Sequence, residues 1–339
     1  MHKLHLIPEE VEVLNGLTAD LARRYQTVED PQFMRNTAVY AHELPQRIRV
    51  HMNDFRLQEP TSALCIISGF PIDDEAIGAT PPHWNSRSDP SPTLAEEMLL
   101  LLFGSLVGDP IGWATQQSGY IVHDICPCKG HEHEQLGSGS EELLWWHTED
   151  AFHPYRGEYI GMACLRNPDH VATTFANLEG IDPESDWVKR LFEPHFTIKP
   201  DESHLIKNKS GDKEVDRLLQ LSYERIERMN REPEKIAVLY GESKSPYIRI
   251  DPYFMNQSED PEAREALEHI RKWIDDKLDD LVLMPGDFCF IDNFKAVHGR
   301  KPFKARFDGT DRWLKRINVT RDLRRSRTAR LEPEARVIY

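Results

Sequence analysis

No stretch of this 339-residue chain approaches the roughly 20 consecutive apolar residues that a membrane-spanning helix needs, so the sequence predicts a soluble protein with no membrane partner. The opening residues, Met1-His2-Lys3-Leu4-His5-Leu6-Ile7-Pro8, lack the long apolar region and small-residue cleavage site of a signal peptide, which points to the cytoplasm. Basic charge is short as well: 42 Lys and Arg face 57 Asp and Glu, a formal net charge of -15. Phosphate neutralisation needs basic surface, so this balance argues against nucleic acid as a partner and favours solubility. One local exception, Arg321, Arg324, Arg325, Arg327 and Arg330, reads as an anion site or as a solvated tail pairing with the acidic body. Cysteines are few and odd in number, Cys65, Cys126, Cys128, Cys164 and Cys289, which predicts free thiols instead of a disulfide framework. No glycine, serine or proline linker divides the chain, and one domain over 1–339 is expected.

What is present divides into a helical first part, 1–110, and a strand-rich remainder. Residues 17–25 and 39–55 carry apolar side chains at three and four spacing, as in Leu44, Ile48 and Met52, and predict amphipathic helices. Residues 63–71 predict a buried strand, and 93–107 an apolar helix with Thr93 as N-cap. Beyond Trp145, short apolar runs at 159–165, 171–176, 236–240 and 247–250 alternate with turns, a pattern of sandwiches and barrels. Residues 281–284, 285–287 and 288–291 read as strand, turn and strand, after a helix at 262–277. The expected class is α+β, with a jelly-roll core and flanking helices. The polar, lysine-rich segment at 201–234 reads as a lid or as a surface excursion.

Chemistry concentrates in Trp145-Trp146-His147-Thr148-Glu149-Asp150. On an extended strand, residues i and i+2 point the same way, so His147 and Glu149 can share one metal ion. Far downstream, Phe288-Cys289-Phe290-Ile291-Asp292 leads to Ala296-Val297-His298-Gly299-Arg300 and supplies a second imidazole. Two histidines and a carboxylate on one face of an iron form the facial triad of non-heme Fe(II) oxygenases. The bare spacing is also that of half-buried strand histidines; Arg312, fourteen residues after His298, adds weight. In this enzyme class an arginine at about that distance grips the far carboxylate of 2-oxoglutarate through two parallel hydrogen bonds. A rival metal site is Cys126-Pro127-Cys128-Lys129-Gly130-His131-Glu132-His133, whose thiols and imidazoles could hold zinc, although its spacing fits no common zinc module.

These blocks, with Ala41-His42-Glu43-Leu44-Pro45, Gly112-Trp113-Ala114-Thr115-Gln116-Gln117, Leu165-Arg166-Asn167-Pro168-Asp169 and Asp311-Arg312-Trp313-Leu314-Lys315-Arg316-Ile317-Asn318, extend over most of the chain. The sequence resembles the clavaminate-synthase-like Fe(II)/2-oxoglutarate oxygenases, and within them the free-arginine hydroxylases of the viomycin-pathway type. The resemblance implies Fe(II) on His147, Glu149 and His298, with 2-oxoglutarate and dioxygen as cosubstrates. It implies Arg312 and, more weakly, Thr173 as contacts for 2-oxoglutarate. For the amino acid it implies Gln116, Glu149 and Arg316 at the head group, Asp251 at the guanidinium, and Asp201 and Ser203 from the lid. The expected reaction is hydroxylation of free L-arginine, at C3 or C4, in specialised metabolism such as antibiotic biosynthesis.

Two departures bear on the substrate. Similar enzymes carry a second aspartate where this chain has Tyr253, and a serine where it has Gly137. Tyr253 can stack on or hydrogen-bond to a guanidinium. Arginine therefore stands first, with lysine, homoarginine or a cyclised arginine behind it, and desaturation as the alternative outcome. Halogenation is disfavoured, because it needs the carboxylate ligand replaced by a small residue. The alternative outside catalysis is a jelly-roll protein that binds metal or an amino acid, which would have no need of Arg312.

Overall fold

The computed structural model describes residues 2–204, 213–256 and 258–339. In chain order the helices are α1 (Pro8–Arg24), α2 (Pro31–Tyr40), α3 (Gln46–Gln58), α4 (Asp74–Ile77), α5 (Leu94–Ser105), α6 (Asp186–Leu191), α7 (Lys213–Arg231) and α8 (Pro261–Asp275). The strands begin with β1 (His2–His5), β2 (Leu64–Ser68), β3 (Asp109–Trp113), β4 (His123–Ile125), β5 (Leu144–His147), β6 (Tyr159–Arg166), β7 (Thr173–Asn177) and β8 (Thr197–Ile198). They continue with β9 (Leu239–Glu242), β10 (Ser245–Ile248), β11 (Met255–Asn256), β12 (Asp279–Leu281), β13 (Phe288–Asp292), β14 (Ala296–Arg300), β15 (Trp313–Thr320) and β16 (Val337–Ile338).

Among the described residues the major sheet runs β1-β2-β13-β6-β15-β3-β16, with β4 also paired to β15; the minor sheet runs β12-β7-β14-β5. The two face each other as a jelly roll. Strand β13 shows why its sequence is apolar without alternation. Phe288 and Phe290 pack under the N-terminal helices while Cys289 and Ile291 point between the sheets, so both faces are dry. Helices α1, α2, α3 and α5 cover the major sheet, and α6 and α8 cover the minor one. In α5 the run Met98 to Phe103 is fully buried, and a helix apolar all round belongs in such an interior.

The predicted helix over 39–55 is broken. Tyr40 ends α2, a short 3-10 turn covers Ala41–Glu43, and α3 starts at Gln46. Pro45 lacks an N–H and pushes Leu44 into an extended conformation, ψ 147°, so the helical ladder cannot pass. The predicted strand-turn-strand over 281–291 also differs. Strand β12 is Asp279–Leu281 and pairs with β7, whereas β13 pairs with β2 and β6, so the turn crosses between sheets. Gly286 makes that crossing at φ +86°, where an added Cβ would lie 1.8 Å from the Phe70 carbonyl oxygen. Thr93 occupies the N-cap position of α5, but its hydroxyl donates to Glu97 at 2.8 Å instead of capping the backbone. Of the expected lid, residues 205–212 lie outside the described residues; α7 follows them and buries Leu219, Tyr223 and Ile226.

Candidate active site

The site lies between the sheets, in a cavity of about 470 Å³. On β5, Trp146 faces the α8 layer, so the alternation of the strand turns His147 inward. On β14, Val297 faces the helices while His298 turns inward. His147 and His298 are cross-strand partners, with ring centroids 4.8 Å apart. Glu149 lies just beyond β5, and its Oε2 is 3.5 Å from His147 Nε2 and 3.4 Å from His298 Nε2.

The donor set fits Fe(II): two imidazole nitrogens and one carboxylate oxygen converge on one point, which also lies open to the cavity. His147 Nδ1–H donates to the Trp145 carbonyl at 2.7 Å, which leaves Nε2 as the donor toward a metal. Burial disfavours a charge on His147, but Glu149 and Asp251 outweigh it and raise its pKa to about 9. Burial alone dominates at His298 and lowers its pKa.

Asn293, which sequence reasoning missed, fixes the turn that carries Glu149. Its side chain accepts from Glu149 N–H at 2.7 Å and donates to the carbonyls of Glu149 and Gly157 at 3.1 and 2.9 Å. The available signal was a polar residue directly after the buried run of β13. Asp150, at φ +50°, is the other overlooked anchor. It accepts from Trp113 Nε1 at 2.6 Å and meets His204 Nε2 at 3.1 Å, which ties the 201–204 segment to the Glu149 turn.

Strand β15 presents Leu314 and Arg316 to the cavity and sends Lys315, Ile317 and Val319 toward the helical layer. Arg312 enters the cavity just before that strand. Its Nη2 donates to Thr173 at 3.2 Å, and among the described residues no carboxylate pairs with it. Burial lowers its pKa to about 10. A buried guanidinium without a counter-ion is costly, and an anionic ligand relieves the cost. Arg316 Nη1 pairs with Glu149 Oε1, and its Nη2 donates to His123 Nδ1 at 3.0 Å. His123 lies opposite it on β4 and donates Nε2–H to the Tyr120 carbonyl at 3.0 Å. Burial, aided by Arg316, holds the His123 pKa well below its usual range, so the ring stays neutral and accepts.

The opposite wall is acidic. Asp251 Oδ1 accepts the N–H groups of Tyr253 and Phe254 at 3.1 and 3.2 Å, leaving Oδ2 for the cavity. Burial, and then the nearby Asp201, raise its pKa to about 6 against the pull of His147. Asp201 Oδ1 is held by the N–H and hydroxyl of Ser203. Gln116 Nε2 donates to Ser203 Oγ at 2.6 Å, while its Oε1 is buried with no partner among the described residues. Tyr253 is half exposed at the rim, and Gly137 lines the cavity beside Ile125. All eleven site residues expected from the sequence therefore border one cavity. The rival zinc quartet does not assemble: Cys126 and Cys128 are buried, whereas His133 points outward to Glu141 and Glu142. The C-terminal arginines are used internally, Arg325 on Glu158 and Arg330 on neighbouring carbonyls.

Comparison with known proteins agrees with this geometry. The model of the family described as taurine catabolism dioxygenase TauD, TfdA family matches residues 219–318. The chain is 46% identical to enduracididine beta-hydroxylase of Streptomyces hygroscopicus and 47% identical to an L-ornithine/L-arginine 3-hydroxylase of Catenulispora acidiphila, over the full length of all three. The crystal structure of the non-heme iron oxygenase OrfP with Fe, succinate and (3S)-hydroxy-L-Arg superposes with a TM-score of 0.92 at 43% identity, covering 99% of each chain.

Proposed function

Because the chain belongs to the TauD/TfdA family of Fe(II)- and 2-oxoglutarate-dependent oxygenases, we propose that it hydroxylates free L-arginine at C3. The observation that carries this reading is the polarity of the cavity. Its lining holds a buried guanidinium, Arg312, with no carboxylate partner among the described residues, and two carboxylates, Asp251 and Asp201, each of whose hydrogen bonds among those residues fall on one oxygen, together with the two imidazoles.

His147, Glu149 and His298 hold the iron in this reading. Iron with 2-oxoglutarate and dioxygen supplies the oxidation, in which 2-oxoglutarate leaves as succinate and carbon dioxide and one oxygen atom enters the substrate. Arg312, helped by Thr173, takes the distal carboxylate of 2-oxoglutarate in a charge-assisted pair. Arg316 takes the α-carboxylate of the amino acid, kept in place by His123. Gln116 Oε1, otherwise without a partner among the described residues, and Glu149 accept from the α-ammonium. Asp251 and Asp201 each offer one oxygen to the guanidinium, and Ser203 holds Asp201 in position. In this reading the chain is a single oxygenase domain. A cytoplasmic setting suits five free cysteines and substrates drawn from central metabolism.

A second reading concerns substrate size. Tyr253 leaves the acidic wall with less charge than a second aspartate would, and Gly137 leaves more room than a serine beside Ile125, which favours homoarginine or a cyclised arginine as further substrates. Incubation with Fe(II), 2-oxoglutarate, oxygen and equal amounts of arginine, homoarginine, ornithine and lysine tests both, with mass spectrometry for the gain of oxygen and NMR for the carbon attacked. Oxygen gained by none of these cationic amino acids would sink the substrate assignment.

A further inference from the structure

Three residues without a role in the site above converge beside the same cavity, His83 and His131 in its lining and Cys128 buried behind them. Cys128 and His131 lie on the loop after β4, and His83 arrives from the loop between α4 and α5. One donor atom from each lies within 4.8 Å of the others. The two rings meet edge to face at 5.6 Å. The Cys128 sulfur is buried, and its thiol donates to the Cys126 carbonyl at 3.7 Å. That proton is the one a thiophilic metal displaces, because the thiolate is the form that ligates metals.

The imidazoles are arranged to match. His131 Nδ1 bonds Ser138 Oγ at 2.9 Å, which leaves Nε2 as the open donor. Backbone bonds from Cys128 N–H to Ser138 and from His131 N–H to Cys128, both 3.0 Å, hold the loop on itself. His83 is half buried, and among the described residues its ring is hydrogen-bonded only at Nδ1, by the Asn85 N–H at 3.2 Å. One thiolate with two imidazoles is a borderline-soft set, suited to zinc and poorly suited to magnesium or calcium.

We propose that His83, Cys128 and His131 form a second metal site, for zinc or a similar thiophilic divalent ion, at the rim of the active cavity. Binding replaces the thiol proton, which leaves to solvent, by a metal–sulfur bond, and no electron is transferred. Water completes the coordination. The ion ties the loop that carries Gly137 to the loop of His83, so that two walls of the cavity mouth become one.

Cobalt(II) is the probe, because the His147, Glu149 and His298 set contains no sulfur. The full-length metal-free chain titrated with cobalt is expected to show an intense near-ultraviolet sulfur-to-cobalt absorption that zinc displaces. Cys128→Ser should lose that band and keep the weak visible bands of cobalt at the other site, whereas Cys126→Ser should keep it. Absence of the band from the unmodified chain, its survival in Cys128→Ser, or its loss in Cys126→Ser would overturn the assignment. If Cys128→Ser does not fold, His83→Ala with His131→Ala carries the reading: affinity for the sulfur-bound cobalt should fall at least ~100-fold, the scale of losing direct ligands, and an unchanged affinity overturns the proposal.

Discussion

Glu149 and Arg316 divide one carboxylate between two tasks: Oε1 is held by the Arg316 guanidinium, while Oε2 faces both imidazoles. The proposed grips on the amino acid and on the metal are thereby linked through a single side chain. The first prediction tests the metal end. His147→Ala or His298→Ala should abolish succinate production and leave the circular dichroism and melting temperature nearly unchanged, because the cavity mouth contributes less to stability than the core. Ordinary succinate yield from either variant would remove it from the triad.

Arg312→Ala should raise the 2-oxoglutarate requirement and spare that for the amino acid. The anchor is a charge-assisted bond worth roughly 1.5 to 3 kcal/mol, about 10- to 150-fold in KM. Steady-state kinetics in each substrate decides it: equal rises in both would mean that the wrong guanidinium had been chosen.

His123→Phe should do the reverse. Arg316 Nη2 loses its acceptor in a buried place, a cost of about 1 to 3 kcal/mol, and the amino-acid KM rises while that for 2-oxoglutarate stays. His123→Asn, whose carbonyl can stand near the Nδ1 position, should recover part of the loss. A variant with both KM values unchanged would show that β15 alone positions Arg316.

Asn293→Ala releases the backbone of Glu149 without touching its carboxylate. Iron affinity is expected to fall about 10- to 100-fold, as for other supports of metal ligands. Metal titration of the purified variant gives the answer, and an unchanged affinity would assign Asn293 to stability alone.

Asp251→Ala should cost about 2 to 5 kcal/mol in kcat/KM for arginine, the scale for a desolvated charge pair losing one member, with neutral amino acids gaining relatively. Tyr253→Asp should improve arginine use if the physiological substrate is larger, and change little or harm it if the substrate is arginine. Competition assays that measure coupled and uncoupled turnover separate the cases. Retention of cationic preference by Asp251→Ala would move the guanidinium elsewhere.

The sequence was most legible where one local rule governs. The H-x-E pattern pointed to His147 and Glu149 although the strand ends at His147 and a turn, not the two-residue period, brings Glu149 round; the blocks around Arg312 and Arg316 placed both guanidiniums on the same stretch. Legibility failed where the answer depends on what pairs with what. The apolar runs on either side of Gly286 look like a hairpin, and only the partners β7, β2 and β6 reveal a crossing between sheets. His123 and Asn293 were hidden for a related reason: each acts through a residue distant in sequence, and no spacing announces it. The loop at 126–133 showed two of its converging donors, while the third, His83, comes from another loop altogether.

Strand β15 also works as a ruler. Arg312, the proposed cosubstrate anchor, immediately precedes it and Arg316, the proposed amino-acid anchor, follows four residues on, so in that reading the separation of the two carboxylates is set by one short stretch of backbone. A slip of one residue would bring Lys315 into the cavity and turn Arg316 under the helices, which makes that spacing nearly immutable. The residues proposed to face the substrate's far end, by contrast, belong to connections at 201–203 and 251–253 that can change without moving the ruler. On such a plan new substrates are acquired by rewriting loops, and the oxidative step is inherited unchanged.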